Sequence, residues 1–187
     1  MLSKMQDFDV NTLSISNIKD ATYVQSNKQQ FELQTNWVTL GKYPLPSKKY
    51  TTDDMKSINL TIPTTKNDKH YEIFSAVDEK LSKMNILPNK TYHSLVSEKD
   101  DNCYLKFKLY LDTGLFDKDK NRISITSLFD FYKYLREDTQ IKIVFGFSKL
   151  WKMSNQYGFT LSIKRILLKS EVKEAPEKST TSFLDDE

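Results

Sequence analysis

Residues 141–169 read IKIVFGFSKLWKMSNQYGFTLSIKRILLK. In the first half Ile141, Ile143, Phe145, Phe147, Trp151 and Met153 fall on one side, and Lys142, Ser148 and Lys152 on the other. In the second half Phe159, Leu161, Ile163 and Leu167 alternate with Thr160, Ser162, Lys164 and Leu168. A period of two over this length predicts two strands, each with one face to bury. Ser154, Asn155 and Gly158 lie between them, so an antiparallel hairpin is expected. Large aromatics on one side and lysines on the other suit a sheet that packs inward and presents cations outward.

Upstream, residues 103–111 show the same alternation. Cys103, Leu105, Phe107, Leu109 and Leu111 take one face, and Tyr104, Lys106, Lys108 and Tyr110 the other. INLTI at 58–62 reads as a short strand stopped by Pro63, and FELQTNWVTL at 31–40 as one broken by Gly41, Pro44 and Pro46. The period changes over 71–87, where Ile73, Phe74, Val77, Leu81 and Met84 gather on one helical face before Pro88. A second short helix is predicted around Leu128, Phe131, Tyr132 and Leu135, capped by Thr126 or Ser127. Residues 1–29 show no firm period and read as an N-terminal arm. Residues 30–170 form the expected domain, and 171–187, rich in Pro, Ser, Thr and acids, read as a disordered acidic tail.

Composition agrees with a mostly β chain: 187 residues, ten Tyr, eleven Phe, and only four Gly. The net charge of +3 conceals an asymmetry. Six acids and two lysines give the last 17 residues a charge of −4, which leaves +7 on residues 1–170. A basic body implies a polyanionic partner, and the tail could compete for the same surface or dock replication proteins through Phe183 and Leu184. A single cysteine, Cys103, and the lack of a signal peptide or apolar membrane run point to an intracellular, cytoplasmic protein. Cys103 itself is most simply a small core residue.

Catalysis finds few candidates. His70, His93 and Cys103 form no metal-ligand spacing, and there is no glycine-rich phosphate loop or nucleophile elbow. Asp117 and Asp119 lack the glycine and closing glutamate of a calcium loop. No catalytic residue, metal site or cofactor is expected.

Binding of unpaired nucleic acid suits the residues better. Aromatic rings stack on bases, and interleaved lysines meet phosphates. Tyr104, Lys106, Lys108 and Tyr110 supply both on one strand, although the same residues would serve as the solvent face of an ordinary sheet. Trp151 alternates with core residues, so burial and stacking are both open, and Trp37 is equally balanced. Tyr157, near the hairpin tip, has no evident core to enter and is expected to stack. Lys149, Lys152, Lys164 and Arg165 are either surface charges or phosphate contacts; Lys149 and Arg165 interrupt apolar faces, which favours a role.

Two segments carry a family resemblance. FSKLWKMSNQYGFTLSIKRI resembles the C-terminal block of single-stranded-DNA-binding proteins of large double-stranded DNA viruses and of virus-like yeast cytoplasmic linear plasmids. FELQTNWVTLGKY resembles their N-terminal block. Gln34, Thr35, Trp37, Ser148, Leu150, Trp151, Tyr157 and Gly158 carry the likeness. After Gly158 this chain has Phe-Thr-Leu where the resemblance implies Leu-Thr-Trp, so one aromatic is displaced or missing. The resemblance implies an OB-fold-like antiparallel barrel with two short helices, coating single-stranded DNA in replication without sequence preference, at a viral replication site or in host cytoplasm. An RNA-binding or transcription factor on the same fold is one alternative. A protein–protein scaffold of the replication machinery is another, and a homo-oligomer is compatible with each.

Overall fold

The computed structural model describes residues 2–18, 21–99 and 102–170. The acidic tail lies outside the described residues. In chain order the strands are β1 (Leu2–Lys4), β2 (Leu13–Ile18), β3 (Ala21–Ser26), β4 (Glu32–Gln34), β5 (Val38–Thr39) and β6 (Ser57–Thr64). The helix α1 (Lys69–Lys83) follows, then β7 (Thr91–Tyr92), β8 (Val96–Lys99), β9 (Asn102–Tyr110), β10 (Gly114–Phe116) and β11 (Arg122–Ile123). A short α2 (Phe131–Tyr134) precedes β12 (Gln140–Phe147), β13 (Trp151–Lys152), β14 (Gln156–Gly158) and β15 (Leu161–Leu168). The protein is mostly β with two helices. No described helix is long and apolar enough to cross a membrane.

The expected hairpin is β12 paired antiparallel with β15, from Ile141 opposite Leu168 to Phe147 opposite Leu161. Its connection is not a simple turn. Residues 151–158 fold into the subsidiary hairpin β13–β14, joined in parallel by β7. The second strand also departs from strict alternation. Between Val144 and Phe145 the register shifts, so Val144 opposes Arg165 and Phe145 opposes Ile163, leaving Lys164 as the extra residue of a bulge. Beyond the bulge the faces exchange: Ile166 and Leu168 are buried and Leu167 only half-buried. Arg165 therefore interrupts no apolar face, and Lys149 lies past the end of β12.

Strand β9 is the hub of the main sheet. It pairs with β6 on one edge, and on the other with β8 near its start and, in parallel, with β15 near its end. The sheet continues through β12 to β4 and β1. It is not the closed antiparallel barrel expected from the sequence: no ladder among the described residues joins β6 to β1, and β1–β4, β9–β15 and β10–β15 are parallel. The Pro44/Pro46 segment explains the opening. It runs along β6 but makes only one hydrogen bond there, Thr61 N–H to the Pro44 carbonyl at 2.7 Å, because prolines cannot extend a ladder. The same exposed edge lets Pro63 sit inside β6, opposite Tyr104, rather than ending it.

The core is fixed by three rings. Phe107 of β9 lies 5.1 Å from Phe145 of β12, and Phe74 of α1 closes on both at 6.1 and 5.7 Å. The face of α1 carrying Ile73, Phe74, Val77 and Leu81 is buried as its period predicts. Residues 2–18 and 21–26 are part of the same body: β1 pairs with β4, and Met5, Leu13 and Val24 enter the core. Leu111 falls just after β9 and is 48% exposed.

Capping places α2. The Ser127 hydroxyl accepts from the Phe129 amide, while Asp130 accepts from the Thr126 and Ser127 amides and from Lys133. The Lys133 ammonium first, and then those amides, hold the Asp130 carboxyl well below its ordinary value of 3.8. A depressed folded-state pKa stabilises the protein above the ordinary value and ceases to do so as pH falls toward the folded one. Asp130→Ala should cost about 1 kcal/mol at neutral pH. Its denaturation midpoint should also fall less than that of the unmodified protein between about pH 5 and pH 3, as read by urea titration.

Gly158 marks a second constraint. A methyl there would stand 2.8 Å from the Trp151 ring and 3.1 Å from the His93 carbonyl oxygen. Gly158→Ala should displace the indole and lower stability by about 1–3 kcal/mol, with a red-shifted tryptophan emission as the signature.

Candidate nucleic-acid interface

Alternation along β9 sends Cys103, Leu105, Phe107 and Leu109 into the core and leaves Tyr104, Lys106, Lys108 and Tyr110 outward. Across β6 the same face continues. Tyr104 stands opposite Pro63, Lys106 opposite Thr61, Lys108 opposite Asn59 and Tyr110 opposite Ser57. The Thr61 amide points away from β9, so Thr61–Lys106 and its like-facing neighbours are non-hydrogen-bonded pairs, the arrangement with the closest side chains. Small polar residues on β6 thus form a low floor beside the tall rings and lysines of β9.

Two recesses extend this face. On one side Tyr110, Asp112, Thr113, Ser148, Ser162 and Lys164 surround a hollow of about 310 Å³. Ser162 is the parallel-ladder partner of Lys108, so the hollow continues the strand face directly. The Ser148 and Ser162 hydroxyls hydrogen-bond to each other and tie the loop after β12 to β15. The bulge between β12 and β15 accounts for Lys164: as the extra residue, it is freed from the core-facing alternation.

On the other side Asn59 and Thr61 form the wall of a larger recess of about 710 Å³ between the 42–48 segment and the α2 end. The segment is pinned by Tyr132, whose hydroxyl donates to the Pro46 carbonyl at 2.9 Å and lies 2.7 Å from the Thr51 hydroxyl. Lys48 lies over the Tyr132 ring, 5.6 Å from its centre. Lys42, Lys48, Lys106, Lys108 and Lys164 enter no ion pair among the described residues, so their charge is available to an anion.

Five of the residues predicted from sequence are thereby brought onto one surface: Tyr104, Lys106, Lys108, Tyr110 and Lys164. The others are dispersed. Tyr157 is 1% exposed, with its ring 5.6 Å from Tyr92, so it cannot stack on a base; the core it enters is made by β7, which distant residues supply. Tyr92 in turn is anchored by its hydroxyl on Asp78 of α1, and burial together with that carboxylate pushes its pKa upward. Trp151 is half-buried, 5.5 Å from the His93 ring and over Gly158. Lys152 on β13 and Lys149 after β12 are exposed, and Lys149 adjoins the Ser148 rim of the smaller hollow. Arg165 is paired with Glu32 at 3.0 Å.

Trp37 is 38% exposed and lines neither recess. Its ring meets Lys142 and Lys169 at 4.7 and 5.8 Å. Sequence reading missed Tyr43, Lys42, Lys48 and Arg136 of the larger recess. The available signal was the KYPLPSKKY run at 42–50, in which rings and cations flank two prolines. No three His, Cys, Asp or Glu side chains gather as a metal site among the described residues.

No protein-family model matches the chain, and no curated protein sequence does. Solved structures do resemble it. The single-stranded DNA-binding protein from bacteriophage Enc34 superposes with a TM-score of 0.52 at 12% identity, over 89% of this chain and 94% of that one. Its complex with single-stranded DNA gives 0.51 at 12%, over 85% and 95%. A C-terminal truncation of it gives 0.50 at 11%, over 88% and 99%. At such identities the likeness is one of fold: this chain has nearly the whole architecture of those proteins.

Proposed function

We propose that this protein binds single-stranded DNA without sequence preference, on an OB-like fold, and that it coats and protects unpaired strands during replication. The observation that carries the reading is the outer face of β9, where two tyrosines flank two lysines that no acid neutralises among the described residues, with one recess at the Tyr110 end and a larger one beside the lysines across β6. Rings accept any base, and lysines accept any phosphate, so affinity arises without base readout. The shared fold with a phage protein that has been solved with single-stranded DNA supports it. The protein acts as a binder rather than an enzyme, in the compartment where its DNA is copied. The acidic segment 171–187 competes for the basic face or recruits replication proteins.

Fluorescence anisotropy with labelled oligo(dT), repeated with duplex DNA and with RNA of equal length, tests the proposal. Single-stranded DNA should bind best, with affinity falling steeply as salt rises. Replacing both Lys106 and Lys108 by Ala should reduce the slope of log K against log salt by about 1.4, at ~0.7 per lost single-strand phosphate contact. Tyr110→Ala should lose about 1–3 kcal/mol of binding. Lys83→Ala, on α1 and paired with Glu79, should change neither. Equal affinity for duplex, or a slope untouched by the double substitution, would reject this reading. Tighter RNA binding would instead favour an RNA-binding role on the same face.

Deleting residues 171–187 should tighten oligo(dT) binding, more at low salt than at high. Unchanged affinity would remove the tail from the groove.

A further inference from the structure

Tyr43 is 76% exposed, more than any other large hydrophobic or aromatic side chain on the described surface. A tyrosine so placed contributes little to the core. Among the described residues its ring meets one cation, Lys42, whose ammonium lies 5.5 Å from the ring centre. Beside it the larger recess has an apolar base of Pro44, Leu45 and Leu135, the last two 8% and 2% exposed. Asn59 and Thr61 form one wall, and Lys42, Lys48 and Arg136 line the recess together with a single acid, Glu137.

We infer that this recess is a nucleotide subsite, in which a base of the bound strand stacks on Tyr43 while its phosphate meets the Lys42–Lys48 rim. The inference rests on the proposed binding of single-stranded DNA and adds a site beyond β9. The components match the ligand. A ring free on one face takes a base by stacking. An apolar base excludes water from the opposite edge, and Lys42, Lys48 and Arg136 outnumber Glu137 in the lining, which leaves a positive potential for a backbone phosphate. Among the described residues the Asn59 side chain has no hydrogen-bond partner, so its amide is available to a base edge. The site is continuous with the β9 face through Asn59 and Thr61, which pair with Lys108 and Lys106. One strand can therefore pass from the smaller hollow by Tyr110, over the lysines, and across β6 into the recess.

The segment is preformed rather than loose. Tyr132 holds its Pro46 and Thr51 ends by hydrogen bonds, and the Thr61–Pro44 bond anchors its middle. Tyr43 rises from a fixed backbone, and substitution at this exposed position leaves the fold intact.

The test compares Tyr43→Ala and Tyr43→Phe with the unmodified full-length protein by oligo(dT) anisotropy. Thermal denaturation of each variant confirms folding. Tyr43→Ala should weaken binding about ten-fold with the salt slope unchanged, because a stack rather than an ion contact is lost. Tyr43→Phe should bind like the unmodified protein, since the ring suffices. Lys42→Ala should lower the slope and leave the stack. Unmodified protein that binds while Tyr43→Ala binds equally well would overturn the subsite and leave the β9 reading standing. Failure of the unmodified protein to bind would overturn both.

Discussion

The structure depends on the register of β9. Phe107 must meet Phe74 and Phe145, and that contact decides which parity of the strand is buried. A slip by one residue would carry Lys106 and Lys108 into the core and strand Leu105, Phe107 and Leu109 in water. Burying an unpaired ammonium is far costlier than exposing a ring, so the alternative register is closed. The lysine-bearing face is thus held outward by the aromatic packing behind it. Core and surface are two consequences of one constraint.

That constraint also governs what was legible in the sequence. Where a strand alternates strictly, one observation gives both the element and its outward face, and β9 and the helical face of α1 follow the expected pattern. Residue-level reading fails where long-range partners enter. Arg165 looks like a break in an apolar face and Lys164 like an ordinary outward residue, but both readings miss a bulge that arises only when β15 is laid beside β12. Tyr157 looks uncovered from its own hairpin, and β7 covers it from more than sixty residues upstream in the chain. Pro63 looks like a terminator because a proline usually ends a ladder, and it is tolerated because β6 has one free edge.

The same limit explains the dispersed candidate residues. Trp37, Trp151, Lys152 and Arg165 share chemistry with the groove but not position. Arg165 is engaged with Glu32, and Trp151 is committed to His93 and the bare backbone at Gly158. Residue type reports what a side chain can bind; only the pairing of strands reports whether two of them can touch one ligand. Tyr43 and Lys42 make the converse case. They lie in a proline-interrupted run without periodicity, so pattern gives them no direction, and the Thr61–Pro44 bond together with the Tyr132 anchor to Pro46 and Thr51 sets them beside Asn59 and Thr61.

The uneven partnering of charge across the surface follows from these placements. Lysines on α1 and in the turns have acids nearby, such as Glu72 for Lys69 and Glu79 for Lys83. Those on the β9 face stand opposite Asn59 and Thr61, which cannot neutralise them. Exposed ion pairs contribute little to stability, so the unpaired lysines do not weaken the fold appreciably by lacking acids. They do raise the local positive potential over a floor of short polar side chains, where an extended polyanion can approach closely. The open edge of β6 widens that floor toward the 42–48 segment, which a closed ladder would have filled. The prolines that keep the sheet from closing are therefore also what leave room for a ligand.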